Sequence, residues 1–95
     1  MAAYFIVEVE VTDPATFEEY RKQVSGTIEK YGGRYIVRGG KSETLEGDWN
    51  PKRVIVTEFP SVEQAKRWYD SPEYKPLLAM RLRSAKSKVL FVEGV

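Results

Sequence analysis

From Tyr4 to Val11 the side chains alternate, with Phe5, Val7, Val9 and Val11 on one side and Tyr4, Ile6, Glu8 and Glu10 on the other. A period of two predicts a strand, here with one uniformly apolar face. The period then changes. Asp13 followed by Pro14 suits a helix entrance, because the carboxylate accepts from free N–H groups and proline needs no helical partner at the first position. Phe17, Tyr20, Val24, Ile28 and Tyr31 recur at steps of three or four, predicting an amphipathic helix that stops at Gly32.

After Gly33 the run Tyr35-Ile36-Val37 is β-like, and Gly39-Gly40 interrupts it before Glu43, Thr44 and Leu45. The pattern predicts one long strand with a bulge at the glycines. Gly47, Asp48, Asn50 and Pro51 are turn residues, so a hairpin should lead into a strand from Arg53 to Phe59. Ser61 with Gln64 three residues on has the form of a capping box, opening a helix whose inner face is Ala65, Trp68 and Tyr69. Ser71-Pro72 then reads as a break and restart. Tyr74, Leu77, Leu78, Arg81, Leu82 and Ala85 continue at helical spacing, although Pro76 would remove a backbone bond if the helix began at Pro72. Val89 to Val92 closes the chain as a fourth strand.

Strand, helix, strand, strand, helix, strand is the split β-α-β order of an α+β, ferredoxin-like sandwich. Right-handed crossovers place both helical segments on one face of a four-stranded antiparallel sheet. The other face is left bare although Ile6 and other apolar side chains alternate onto it. A second copy of the same sheet is the simplest cover, which predicts a homodimer with sheets face to face.

Composition narrows the chemistry. The 95 residues, 42% apolar and 31% charged, fit one domain spanning 1–95. A formal charge of +1 supplies no general pull toward nucleic acid or anionic lipid. The apolar run Met1 to Val7 lacks a preceding basic residue and is too short for a signal core, so neither secretion nor a membrane partner is expected and the expected location is the cytoplasm. Cysteine and histidine are both absent. That removes disulfides, thiolate nucleophiles, imidazole-ligated metals, a Ser-His-Asp triad and a base of unperturbed near-neutral pKa. Chemistry must then use carboxylates, Lys, Arg, Tyr, Ser, Thr, Trp or a bound cofactor, and no residue pattern calls for a cofactor, so none is expected.

The run Tyr31-Gly32-Gly33-Arg34-Tyr35-Ile36-Val37-Arg38-Gly39-Gly40, with Glu46-Gly47, Glu58-Phe59-Pro60, Trp68-Tyr69, Ser71-Pro72-Glu73-Tyr74 and Arg81, resembles the domain of unknown function 1330 family. The resemblance covers nearly the whole chain and implies the fold of the dimeric α/β-barrel superfamily, together with dimerisation. It carries over no catalytic residue. The superfamily includes cofactor-free monooxygenases, lactone isomerases, haem-degrading enzymes and chlorite dismutases, so the resemblance spreads the functional expectation over several chemistries. The lack of histidine argues against its imidazole-ligated haem branches.

Among the residues, Arg38 stands out, because a guanidinium in a β run beside two glycines can fork two donors toward a carboxylate or enolate; an edge pair with a neighbouring Glu is the plain alternative. Glu58, between Thr57 and Phe59, is a candidate acid or base if buried, and otherwise a salt-bridge partner of Arg38 or Arg81. Tyr69, as a further acid or base, and Tyr74, Ser71 and Arg81, as ligand-binding groups, would line the mouth of a pocket for a small anionic ligand; otherwise the aromatics fill a core. Trp49-Asn50 is similar to the Trp and Asn use of cofactor-free monooxygenases, a pairing that loop tips also carry by chance. Glu43, Glu46 and Asp48 read as a solvated loop more readily than as a cation site. Two classes follow: an enzyme using no metal or haem on a small acidic or carbonyl metabolite, isomerase- or monooxygenase-like, or a noncatalytic dimer that binds a ligand or protein.

Overall fold

The computed structural model describes residues 1–95, and its first strand, β1 (Ala3–Val11), shows the predicted alternation: Ala3, Phe5, Val7 and Val9 are buried while Tyr4, Ile6 and Glu8 are half-buried. Helix α1 (Pro14–Lys30) is entered as expected, with Asp13 Oδ1 accepting from Thr16 N at 3.3 Å and Oδ2 accepting from Thr16 Oγ1 at 2.7 Å. Phe17, Tyr20, Val24 and Ile28 form its buried stripe.

The remaining elements are β2 (Arg34–Arg38), β3 (Val54–Phe59), α2 (Val62–Tyr69), α3 (Lys75–Ser84) and β4 (Ala85–Glu93). All strand pairs are antiparallel, in the order β2-β3-β1-β4. This is the ferredoxin-like α+β fold. The buried side chains of all three helices join one core with Phe5, Val7, Val9 and Phe59, so the helices share one face of the sheet. No helix is long and apolar enough to cross a membrane.

Three local expectations need correction. The second strand ends at Arg38, and residues 39–53 form a connection without strand structure. Gly39 takes φ 73° and donates to Val54 O at 3.0 Å, turning the chain away, and β3 has no residues left to pair with Glu43–Leu45. The bulge lies at Ile36, between Tyr35 and Val37, and not at the glycines. The last strand begins at Ala85, four positions earlier than the apolar run at Val89 suggests, because Ala85–Glu93 pairs with β1 along its whole length. Lys86, Ser87 and Lys88 hide this strand from a hydrophobicity reading.

Helix restart after the break is delayed to Lys75, so Pro76 falls in the first turn where its missing N–H costs nothing. Ser61 Oγ does accept from Gln64 N, at 3.1 Å, at the start of α2. Between α2 and α3, Glu73 is tied to the end of α1 by Lys30 and by Tyr31 Oη at 3.0 Å. The Lys30 bond, aided by Glu73's own backbone and by Tyr31, holds that carboxyl down at about 2.

The turn from α1 to β2 depends on close approach. A Cβ on Gly33 would lie 2.6 Å from Phe59 Cε1 and 2.8 Å from Ile28 Cγ2, both on buried side chains. Gly26, on the solvent side of α1, has nothing within 4 Å of such a carbon. Gly33→Ala is therefore expected to destabilise by about 1–3 kcal/mol through overpacking, whereas Gly26→Ala should stabilise by roughly 0.5–1 kcal/mol through helix propensity. Urea unfolding of the two variants checks both signs.

Candidate functional site

Between α1 and the inner face of the sheet lies a cavity of about 170 Å³. Phe17, Tyr20, Arg21, Val24 and Ile28 of α1 border one side, and Val7, Val9, Ile55 and Thr57 of the sheet the other, with Trp68 and Arg81 reaching in from α2 and α3. Four arginines border this space, Arg21, Arg38, Arg53 and Arg81, and no aspartate or glutamate does. Arg21 is paired with Glu18 at 2.9 Å on the exposed side of α1. None of the other three makes a salt bridge.

Each guanidinium arrives by an identifiable local device. Tyr35 opposes Thr57 on the inner face, and strict alternation would then turn Arg38 outward. The bulge at Ile36 resets the register, so Val37 opposes Val56 on the outer face and Arg38 opposes Ile55 on the inner one. Arg53 alternates with Ile55 and Thr57 onto the same face, and its carbonyl accepts from Val9 N at 2.9 Å. A Cβ at Gly39 would sit 3.3 Å from Arg53 Cγ and Cδ, so the glycine leaves room for that side chain. Arg38 stands over the Tyr35 ring at 5.2 Å and Arg53 over the Phe17 ring at 5.9 Å, cation–π placements that hold the charges at the cavity.

Arg81 is the deep member, only 3% exposed. Its Nε donates to Tyr74 Oη at 3.3 Å and its Nη1 to Ser87 Oγ, which engages two of its five N–H groups. Tyr74 Oη is in turn 3.0 Å from Tyr20 Oη. Burial, reinforced by Tyr74, pushes the Tyr20 phenol far above its ordinary range. Burial also pushes Tyr35 up to about 12, against an opposing pull from Arg38. Both phenols are therefore protonated at neutral pH, and every charge in the lining of the cavity is positive.

The expected site residues separate. Arg38 and Arg81 border the cavity, whereas Glu58 lies on the outer face of β3. Its partners are Arg34 Nε at 2.9 Å and Tyr4 Oη at 3.3 Å, correcting the expected pairing with Arg38 or Arg81. Tyr69 packs its ring against Phe5, Phe91 and Tyr74, and Tyr74 is fully buried. Ser71 is buried too, donating to Trp68 O at 2.7 Å and accepting from Tyr74 N at 3.1 Å. None of these three side chains borders the cavity, whose exposed lining residues are Arg21, Arg38 and Gly39, with Arg53 half-buried beside them, which marks the opening there. Trp49 is exposed on the β2–β3 connection, and Glu43, Glu46 and Asp48 do not gather into a group able to hold a metal ion.

Arg53, Tyr20 and Tyr35 belong to the site without having been expected there. Arg53 was within reach of a sequence reading, since it stands two and four positions before the inner residues Ile55 and Thr57. Tyr20 read only as a member of an apolar stripe, because nothing in the spacing says that the stripe borders a void.

The chain belongs to the family described as domain of unknown function DUF1330, which matches residues 2–95. No curated protein matches it in sequence. Among solved structures it is similar to a protein of unknown function from Rhodopseudomonas palustris, with a TM-score of 0.79, 18% identity, and coverage of 99% of this chain and 82% of that one. A dimeric ferredoxin-like protein of unknown function from Jannaschia sp. CCS1 is similar with a TM-score of 0.75 and 12% identity over 99% and 100% of the two chains. SnoaB, a cofactor-independent oxygenase from Streptomyces nogalater, is similar with a TM-score of 0.67 and 14% identity over 99% and 93%. At these identities the similarity establishes the shared fold.

Because Arg38 and Arg81 have no acid partner, replacing them strands no opposite charge. Arg38→Met is expected to leave stability within about 0.5 kcal/mol of wild type, and Arg81→Met within about 1 kcal/mol, the lost hydrogen bonds being offset by relief of a buried charge. Chemical denaturation in weakly binding buffer measures both. A loss of roughly 3 kcal/mol or more, the usual mark of a stranded counter-charge, would contradict the unpaired state of these side chains.

Proposed function

We propose that this member of the DUF1330 family binds a small organic anion, a carboxylate or the enolate of a carbonyl compound, in the cavity beneath α1, and that it does so as a homodimer. The observation that carries the ligand reading is the charge of the lining: Arg38, Arg53 and Arg81 face one cavity with no carboxylate among them. Burying a guanidinium without a counter-charge costs several kcal/mol, so such a site gains most when an anion enters it. The volume supports a small ligand, being close to that of an engineered cavity of about 150 Å³ that accepts benzene.

The same lining bears on catalysis. It has donors suited to stabilising negative charge on a bound substrate, but Glu58 is on the opposite side of the sheet and the Tyr20 and Tyr35 phenols hold their protons. An enzyme of this design would stabilise an anion formed by the substrate's own acidity, without a protein carboxylate as base. That requirement favours the ligand-binding reading over proton transfer by Glu58 and Tyr69.

The dimer is supported by the outer sheet face. Leu90, Val92 and Val37 there are 55%, 45% and 40% exposed, beside half-buried Ile6, Val54 and Val56. A contiguous apolar surface of this kind is suited to a matching copy, and the similar Jannaschia protein is described as dimeric.

A thermal-shift screen of small carboxylic acids tests the ligand reading. A binding acid at a hundred times its dissociation constant should stabilise the wild type by about 2.7 kcal/mol, its neutral amide should not, and Arg38→Met should weaken binding by roughly tenfold, the worth of one charge-assisted hydrogen bond. Equal binding of acid and amide would refute it. For the dimer, sedimentation at micromolar concentration is expected to give the mass of two chains, and Leu90→Glu the mass of one; a wild-type mass of one chain would remove the dimer.

A further inference from the structure

The unpaired arginines stand at two ends of the cavity, and their separation bears on the shape of the anion. In the sheet, Arg53 lies opposite Val9, whose N–H donates to its carbonyl, and Val9 lies opposite Ser87 on the other side. Arg53 and Ser87 are therefore two strand spacings apart, about 10 Å, with the Val9 side chain between them on the cavity floor. Ser87 Oγ accepts from Arg81 Nη1, which fixes the buried guanidinium at the β4 side. Arg38, opposite Ile55 on the edge strand β2, joins Arg53 at the other side.

The cavity thus has a positive pole at each end and an apolar middle of Val7, Val9, Val24 and Ile55. One carboxylate can be gripped at one pole only, which leaves the other pole without an anion. Resting on the anion-binding reading above, we propose that the preferred ligand is a short dicarboxylate lying across Val9, with one carboxylate on Arg81 and the other between Arg38 and Arg53. A volume of about 170 Å³ restricts it to a chain of roughly four or five carbons by comparison with the cavity that accepts benzene. The Tyr20 hydroxyl, linked to Arg81 through Tyr74, adds a neutral polar group at the deep end.

The two poles differ in a way that orients such a ligand. Arg81 is locked by Tyr74 and Ser87 and is nearly inaccessible, whereas Arg38 is exposed and Arg53 half-buried at the opening. The first carboxylate must be drawn past the outer pair, and the second then remains there. An uncharged end group would leave Arg38 and Arg53 in solvent with no gain.

The test is calorimetric titration of the full chain with malonate, succinate, glutarate and adipate, with butyrate and valerate as singly charged matches and inorganic phosphate as a compact multivalent anion. Succinate or glutarate is expected to bind at least tenfold more tightly than its singly charged match and than phosphate, with malonate and adipate weaker. Arg53→Met should reduce that preference to less than threefold; Arg81→Met should weaken all the carboxylates. Butyrate or phosphate binding as tightly as succinate would overturn the two-pole inference and leave anion binding intact. Heat of binding from none of the anions would overturn both. Should Arg81→Met fail to fold, Arg53→Met alone still decides, because an undiminished preference in that variant contradicts the bridging geometry.

Discussion

A positive charge enclosed without an acid governs the rest of this molecule. Arg81 is removed from water on α3, and its compensation comes from hydroxyls, those of Tyr74 and Ser87, rather than from a carboxylate. Hydrogen bonds to neutral oxygens recover part of the lost hydration but none of the missing charge. Tyr74 can serve Arg81 only because its backbone is held by Ser71 and its ring is clasped by Trp68, with centroids 4.2 Å apart. The break at Ser71-Pro72 is thus part of the site's support, although no atom of Ser71 reaches the cavity.

Sheet parity and register keep Arg38 apart from the nearest acid of its neighbouring strand. Glu58 opposes Arg34 on the outer face, whereas Arg38 opposes Ile55 on the inner one. The bulge at Ile36 is what produces this. It sends Val37 to the outer face, adding an apolar side chain there, and Arg38 to the inner one. Without it Arg38 would oppose Val54 on the outer face, and the cavity would lose a cation while the apolar surface gained a charge. One extra residue in an edge strand therefore serves both faces of the sheet.

The fold was largely legible because its signals are periodic: the alternation of β1, the stripe of α1 with its Asp13-Pro14 entrance, and the Ser61 cap all stand in the structure as the chain suggests. Of the residues expected at a site, only Arg38 and Arg81 border the cavity. Bulges of one residue leave no compositional mark when the extra residue is an ordinary isoleucine, so the glycines at 39 and 40 drew the reading instead. The Lys86-Ser87-Lys88 segment concealed half of β4, and with it the serine that anchors Arg81. A cavity is harder still, since Val7, Val24 and Ile55 are the same side chains whether they touch one another or border a space. Glu58 was misplaced for a related reason: its strand was known, but its partner depended on a register that the bulge had shifted.

Why the space survives at this place follows from where the large side chains go. Phe5, Trp68, Tyr69, Tyr74 and Phe91 stack together, with Trp68 edge-on to Phe5 at 5.0 Å and Tyr69 at 5.9 Å from Phe91. This cluster fills the part of the interior under α2 and beside β4. Beneath α1, the sheet offers Val7, Val9, Ile55 and Thr57, none of which spans the distance to Val24 and Ile28 as an aromatic ring would. Of the two rings that α1 brings to the cavity, Phe17 lies under Arg53 and Tyr20 is bonded to Tyr74. Rigid aromatic packing on one side and short branched side chains on the other leave a hollow whose walls cannot collapse without breaking the Trp68 cluster or moving Gly33 off Phe59. On the anion-binding reading proposed above, guanidiniums held at the rim of such a hollow would need little reorganisation, and that preorganisation would convert an unpaired charge into affinity.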